Sequence, residues 1–189
     1  MKMKKLISRL LAMTMAFCLA ACGATTTPAT EAPTEAPTGP LTGTLEELLA
    51  QVIELEPVEF MGYTNVLDLA DTSEDGLWLL GNFTGLQNAD SITEAAAYES
   101  MMGSIPYSLV MVRVAEGADA ATVAAAMKSG IDQRKWICVE ADDLQVVSFN
   151  DVVMLIMVGS TTGLTSQEYV DAFQQVCDGQ YAGAQVTTH

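Results

Sequence analysis

The residues with chemical potential are few and scattered. Past position 22 the only thiols are Cys138 and Cys177, and the only imidazole is His189 at the end of the chain. A ring on a frayed terminus cannot be held as a general base. That excludes a Ser-His-Asp or Cys-His nucleophilic site built within the chain. No GxxxxGK[ST], GxGxxG or HExxH run occurs, so the phosphate-cradling, dinucleotide and metalloprotease patterns are absent. Two thiols and one terminal imidazole do not make a zinc site. In an oxidising compartment Cys138 and Cys177 could instead form a disulfide. Its loop of about 40 residues would add roughly 4 kcal/mol in the chain-entropy model. The alternative is two separate thiols behaving as small hydrophobes.

Carboxylates are the abundant resource. Asp68, Asp71, Glu74 and Asp75 cluster in an irregular stretch, and Glu140, Asp142 and Asp143 cluster further on. Hard cations take several carboxylate oxygens, which makes the first cluster a candidate cation site. Neither cluster has the EF-hand spacing, and a solvated acidic loop is the plainer reading. Paired carboxylates can also do acid/base work. Glu94, Glu99 and Asp132 are imaginable members, but no spacing sets them apart from the other acidic residues. The expectation is therefore a non-enzymatic protein without a cofactor. Tyr98, Met101, Met102, Tyr107 and Met111 form a soft, aromatic group that could adapt to a partner or fill a core.

The charge distribution narrows the partners. Of 189 residues, 24 are acidic and 8 basic, and four of the basic ones (Lys2, Lys4, Lys5, Arg9) lie in the first nine positions. The remainder carries four basic against 24 acidic residues, a net of −20. Such a surface repels phosphate, so a nucleic-acid partner is not expected. Anionic headgroups would repel the folded part too, whereas cationic partners suit it.

Residues 1–21 read as an export signal. A basic start precedes an apolar stretch from Leu10 to Ala21, too short to span a bilayer as a helix. The stretch ends in Leu19-Ala20-Ala21-Cys22, which resembles the lipobox of bacterial lipoproteins. That resemblance implies a diacylglycerol on the Cys22 thiol, cleavage just before it, and attachment to the outer face of the cell membrane. Two acyl chains at about 0.8 kcal/mol per buried CH₂ anchor stably. Residues 22–40 then form a tether: after Cys22 only Gly, Ala, Thr, Pro and Glu occur, and Thr-Glu-Ala-Pro repeats at 30–33 and 34–37. Such a segment buries nothing and is expected to be disordered. At ~3.1 Å per residue it could reach roughly 55 Å.

Globular sequence spans 41–183, with 184–189 expected as a tail. Thr44-Leu45-Glu46-Glu47 is a capping box opening a helix over 45–55, and Pro57 stops it. Residues 56–92 read poorly beyond a short helix near 74–80. Residues 93–102 read two ways: Ser91 and Glu94 could form a capping box and the alanines favour helix, but the apolar run Leu109 to Val114 begins only six residues later, past Gly103 and Pro106, which suits an antiparallel strand pair. Asp119 caps a helix expected to run to about Lys135. Trp136 to Val139 reads as a strand, and Leu144 to Phe149 with Val152 to Val158 as a hairpin turning at Asn150-Asp151. A last helix opens at Thr165 with a second capping box and ends at Gly179. The pattern predicts a single small α+β domain, mainly antiparallel, with helices covering one face of the sheet.

The stretch 94–158 resembles the extracytoplasmic Gram-positive lipoproteins grouped as domain of unknown function 4358. The residues that carry the likeness are Ala97-Tyr98-Glu99-Ser100, the strand Leu109 to Val114, the segment Ala120 to Gln133, and the strand Val152 to Val158. Members also carry a lipobox and a Thr/Pro-rich spacer. The chain departs from them at Val139-Glu140-Ala141-Asp142, where an aromatic-Pro step is expected, and at Asp151-Val152-Val153, where Gly-Asn-Tyr is expected. The resemblance implies a cell-surface location and brings no reaction or ligand. Taken together, the sequence points to a lipid-anchored module that binds a protein or envelope partner. A small-ligand or cation-binding lipoprotein is the alternative. About 140 residues are too few for the two lobes of a large solute-binding protein.

Overall fold

The computed structural model describes residues 39–189, so the export signal, the lipobox with Cys22, and the tether up to residue 38 lie outside the described residues. The order is α1 (Leu45–Leu55), β1 (Gly62–Val66), α2 (Glu74–Thr84), β2 (Ile92–Ser100), β3 (Tyr107–Val114), α3 (Ala120–Gly130), β4 (Asp143–Phe149), β5 (Val152–Val158), α4 (Ser166–Gln180) and β6 (Thr187–Thr188). The six strands form one antiparallel sheet ordered β1-β2-β3-β5-β4-β6. This is the expected α+β domain.

The helices cover both faces of the sheet, not one. The reason lies in the two central strands. Every side chain of β5 is buried, and in β3 only Arg113 is partly exposed. Successive strand residues point to opposite faces, so a strand buried at every position needs cover on both. On one face Leu109, Met111, Met154 and Ile156 meet Leu48 and Leu49 of α1 and Phe173 of α4. On the other, Val110, Val112, Val153 and Leu155 meet Phe83 of α2 and Met127 of α3.

The local signals explain the ends of several elements. The Thr44–Glu47 capping box forms as expected, with Glu47 N–H donating to Thr44 Oγ1 at 3.2 Å. Glu168 accepts from the Thr165 N–H at 2.9 Å and opens α4, which runs through Gly179 to Gln180. The β4–β5 hairpin turns at Asn150, which takes a φ of 50° that Asn tolerates. Arg113 then ties the chain entry to that hairpin. Its guanidinium pairs with Asp151 and Glu94 and donates to the carbonyls of Leu41 and Gly43.

Four expectations need correction. The helix capped by Asp119 stops at Gly130, not near Lys135, because Ile131 turns extended at φ −69° and ψ 136°. Gly130 packs so closely on the Gly85 carbonyl that a Cβ there would lie 2.0 Å from its oxygen. No strand forms over Trp136 to Val139. Cys138 has a φ of 63°, in the left-handed region, and Ile137 is 80% exposed. The expected tail 184–189 is ordered: Ala184 is buried and Thr187–Thr188 pair with β4. His189 is consequently not frayed. Its N–H donates to the Val146 carbonyl, and its ring Nε2 lies 2.7 Å from Ser148 Oγ. Among the described residues, no carboxylate hydrogen-bonds the other ring nitrogen.

Gly130→Ala should lower the urea midpoint despite the better helix propensity of Ala. Propensity favours Ala by about 1 kcal/mol, while overpacking against fixed backbone costs about 1–3 kcal/mol. A raised midpoint would show that the Gly85 contact yields.

Candidate functional site

The sheet has two unequal edges. One is the two-residue β6; the other is β1, with sequence Gly-Tyr-Thr-Asn-Val and no charged residue. The Met101 N–H donates to Met61 and the Leu67 N–H donates to Ala95. These two bonds and the intervening register place the β2-directed backbone groups at Tyr63 and Asn65. Gly62, Thr64 and Val66 therefore aim their N–H and C=O groups away from the sheet. Natural edges are normally blunted by Lys, Pro, a bulge or a covering loop. Strand β1 has no Lys or Pro, and exposed apolar side chains lie in and beside it, with the exposed carboxylates Glu59 and Asp68 just beyond its ends. Met61 is 72% exposed, Val66 65%, Met101 60% and Met102 52%.

The faces of β1 are set by its partner. Tyr63 and Asn65 lie opposite Glu99 and Ala97 on the α2–α3 face, whereas Gly62, Thr64 and Val66 lie opposite Ser100, Tyr98 and Ala96 on the α1–α4 face. Gly62 is needed because the Tyr98 ring covers it, and a Cβ there would lie 2.4 Å from that ring. A hollow lies on each face at the end of β1. The one beside α2 holds about 490 Å³, with Leu67, Leu77 and Phe83 among its apolar walls and Asp68, Asp71 and Asp90 at its polar positions. The one beside α1 holds about 340 Å³ and includes Leu45, Glu46, Asp68 and Glu94. Neither is lined by a Lys or Arg. Asn65 lines the first, and its Nδ2 is buried without a hydrogen-bond partner among the described residues. α2 also exposes Trp78, at 64%, on the outer surface.

Behind the edge stands a buried ionic cluster. Lys135 Nζ lies 2.5 Å from Glu99 Oε1, with only 6% and 10% of the two side chains exposed. The fully buried Ser108 donates to the same carboxylate oxygen at 2.6 Å, and Lys135 also donates to the Asn82 carbonyl at 2.9 Å. The ammonium sits 5.2 Å from the Phe83 ring centroid and 5.3 Å from that of Trp136. Burial pushes the Lys135 pKa below its ordinary value, against the upward pull of Glu99. Ser108 Oγ is 3.4 Å from Nζ, but its proton is committed to Glu99. The cluster is best described as a strut that holds the loop after α3 against α2 and β2.

The other expected site residues are dispersed. Asp68 accepts from the Ala70 N–H and Asp71 from the Ser73 N–H, so both carboxylates close local turns. Hydrogen bonding from the Ser73 side chain and N–H holds the Asp71 carboxyl below the usual range. Among the described residues no group of three His, Cys, Asp or Glu side chains could hold a metal ion, so Asp68, Asp71, Glu74 and Asp75 do not form the candidate cation site. Glu140 pairs with Arg134, Asp142 accepts from Ser160, and Asp143 accepts from Ser166. Glu94 serves Arg113, and Asp132 accepts from the Arg134 N–H. Cys138 and Cys177 are unbridged: Cys138 is exposed in the loop after α3, while Cys177 is on the buried face of α4. Burial pushes the Cys177 thiol up to about 12. Of the Tyr/Met group, Tyr107 and Met111 are core, Tyr98 is half-buried over Gly62, and Met101 and Met102 are exposed beside β1.

Sequence reasoning missed both β1 and the Lys135 cluster. The absence of charge over 60–66 was the one available signal for the edge. The chain matches no family model, no curated protein and no solved structure in these comparisons.

Two outcomes test this geometry. Lys135→Met should cost about 3–5 kcal/mol, because it leaves Glu99 buried and unpaired. Adding Glu99→Gln should recover part of that loss, a coupling read by a double-mutant cycle in urea. Iodoacetamide should label Cys138 in the native domain within the time that leaves Cys177 untouched, and both in denaturant. Failure to alkylate either thiol without a reductant would restore the disulfide.

Proposed function

We propose that this chain is a lipid-anchored extracytoplasmic binding module, non-enzymatic, which docks a protein or envelope partner along β1. The observation that supports this most directly is the uncharged, unblocked edge of β1, flanked by exposed Met61, Val66, Met101 and Met102 on an otherwise acidic domain. Adding a strand to an open edge is a recurring mode of polypeptide recognition. Main-chain hydrogen bonds supply affinity and side-chain hollows supply selectivity.

The anchor rests on the residues before the domain. Leu19-Ala20-Ala21-Cys22 follows a basic start and a short apolar stretch, and a Pro-rich spacer follows it. No helix among the described residues is long and apolar enough to cross a membrane. On this reading the diacylglyceryl thioether at Cys22 holds the protein at the outer membrane face. The spacer sets the distance at which β1 meets its partner.

A small-ligand reading is favoured by one feature, the hollow of about 490 Å³ beside α2. Its size falls in the range of small-molecule sites. It opens next to the docking edge, so it serves equally as a side-chain pocket.

Both halves of the reading are tested on intact bacterial cells with a photo-cross-linking residue at Thr64. The anchored protein should fractionate with membranes and give a discrete adduct. Cys22→Ala should move it to the soluble fraction. Unchanged fractionation of the Cys22→Ala form would remove the anchor. An adduct pattern at Thr64 matching that from a cross-linker at exposed Gln175 would remove the docking edge.

A further inference from the structure

We infer that the segment docking on β1 is an extended, basic polypeptide strand, whose Lys or Arg side chains enter the two acidic hollows at the end of β1. The inference rests on the reading of β1 as the docking edge and names the chemistry of what docks there.

Three observations converge on it. The backbone donors and acceptors of Gly62, Thr64 and Val66 are turned outward, so an added strand finds a ready template. Side chains of such a strand alternate between the two faces of the sheet. Val66 and Asp68 line both hollows, one on each face, so consecutive residues of one strand can fill both.

The chemistry of the hollows selects the side chains. Each combines apolar walls with carboxylates: Asp68, Asp71 and Asp90 beside α2, Glu46 and Asp68 beside α1. A Lys or Arg side chain matches this pairing, since its alkyl stem packs on apolar surface while its head stays polar and charged. An acidic side chain would meet several like charges, because no Lys or Arg lines either hollow and Arg113, next to the one beside α1, is already paired with Glu94 and Asp151. Every basic residue of the domain is already engaged: Arg113 with Asp151, Arg134 with Glu140, Lys135 with Glu99 and Lys128 with the His189 carbonyl. A second copy of this chain is disfavoured as the occupant. Residues 39–189 hold 22 acidic and four basic residues, so two copies repel.

The test uses the domain from residue 23 onward, so that Cys22 and its lipid are absent, and a short peptide of alternating Lys and Val as probe. Its counterpart alternates Glu and Val. The Lys peptide should bind, and hydrogen exchange at the Thr64 and Val66 amides should slow on binding. Raising the salt from low to high should weaken binding about tenfold or more. Asp68→Asn with Asp71→Asn keeps the turn acceptors and removes two charges. It should weaken binding at low salt and matter little at high salt. Thr64→Pro removes an outward N–H at a position where an edge strand tolerates Pro, and should abolish binding. A Lys peptide N-methylated on alternate residues tests the same hydrogen bonds without altering the protein, and one of the two alternation phases should fail to bind. Equal binding of the Lys and Glu peptides, both lost in Thr64→Pro, would overturn the basic partner and leave β1 as the docking edge. Lys-peptide binding that survives both Thr64→Pro and every N-methylation pattern would place the peptide elsewhere and overturn both. Self-association of the domain through β1, seen by sedimentation and lost in Thr64→Pro, would make a second copy the occupant.

Discussion

Two-sided burial of β3 and β5 is the constraint on which this structure depends. Strands of seven and eight residues that bury nearly every side chain cannot lie at a surface. They have to sit in the middle of the sheet, with flanking strands beside them and helices on both faces. The amphipathic helices supply that cover in two pairs, α1 with α4 and α2 with α3. Flanking strands can be less apolar, because they need to bury less. That gradient ends at β1, which is only partly buried and lies open to solvent along one side.

The same gradient separates structure from function in this fold. The central strands hold the scaffold rigid, while the periphery carries what differs from an ordinary globular domain. Strand β1 is kept in place by its pairing with β2 and by the Tyr98 ring over Gly62. Behind it, Lys135 and Glu99 lock the long loop after α3 onto α2 and β2. A buried pair of this kind contributes little net stability compared with an apolar substitute. What it supplies is a fixed geometry: the loop and the helix that walls one hollow cannot move independently. An edge so supported is organised before any strand adds to it, which reduces the ordering cost of docking.

Electrostatics gives that edge a polarity. The domain is strongly acidic, and its few cations are engaged in structural pairs. An uncharged strand within such a field is accessible to apolar and basic segments and repels acidic ones. The soft Met side chains beside β1 add an adaptable apolar border to the same surface.

Much of the fold was legible in the residues themselves. The capping boxes at Thr44 and Thr165, the apolar runs of β3 and β5, and the hairpin at Asn150 are local signals. Local hydrogen bonding and side-chain periodicity determine them. The lipobox-like run ending at Cys22 is legible for the same reason, being a linear pattern. What failed were statements about things brought together from afar. Gly130 ends α3 because Gly85 lies against it, and the loop through Cys138 follows Lys135 to Glu99 on another strand. His189 is held because the strand it ends pairs with β4, and the acidic stretch 68–75 forms no metal cluster, Asp68 and Asp71 each closing a local turn instead. Strand β1 was illegible because neither of its faces is fully buried, so no apolar alternation is imposed on its side chains. The sequence alone therefore determined the helices, the central strands and the acidic character, since those follow from each residue and its near neighbours. Only the tertiary structure decided which strand became the open edge and which carboxylates line it, since both depend on chain segments that meet only when the sheet closes around its buried middle.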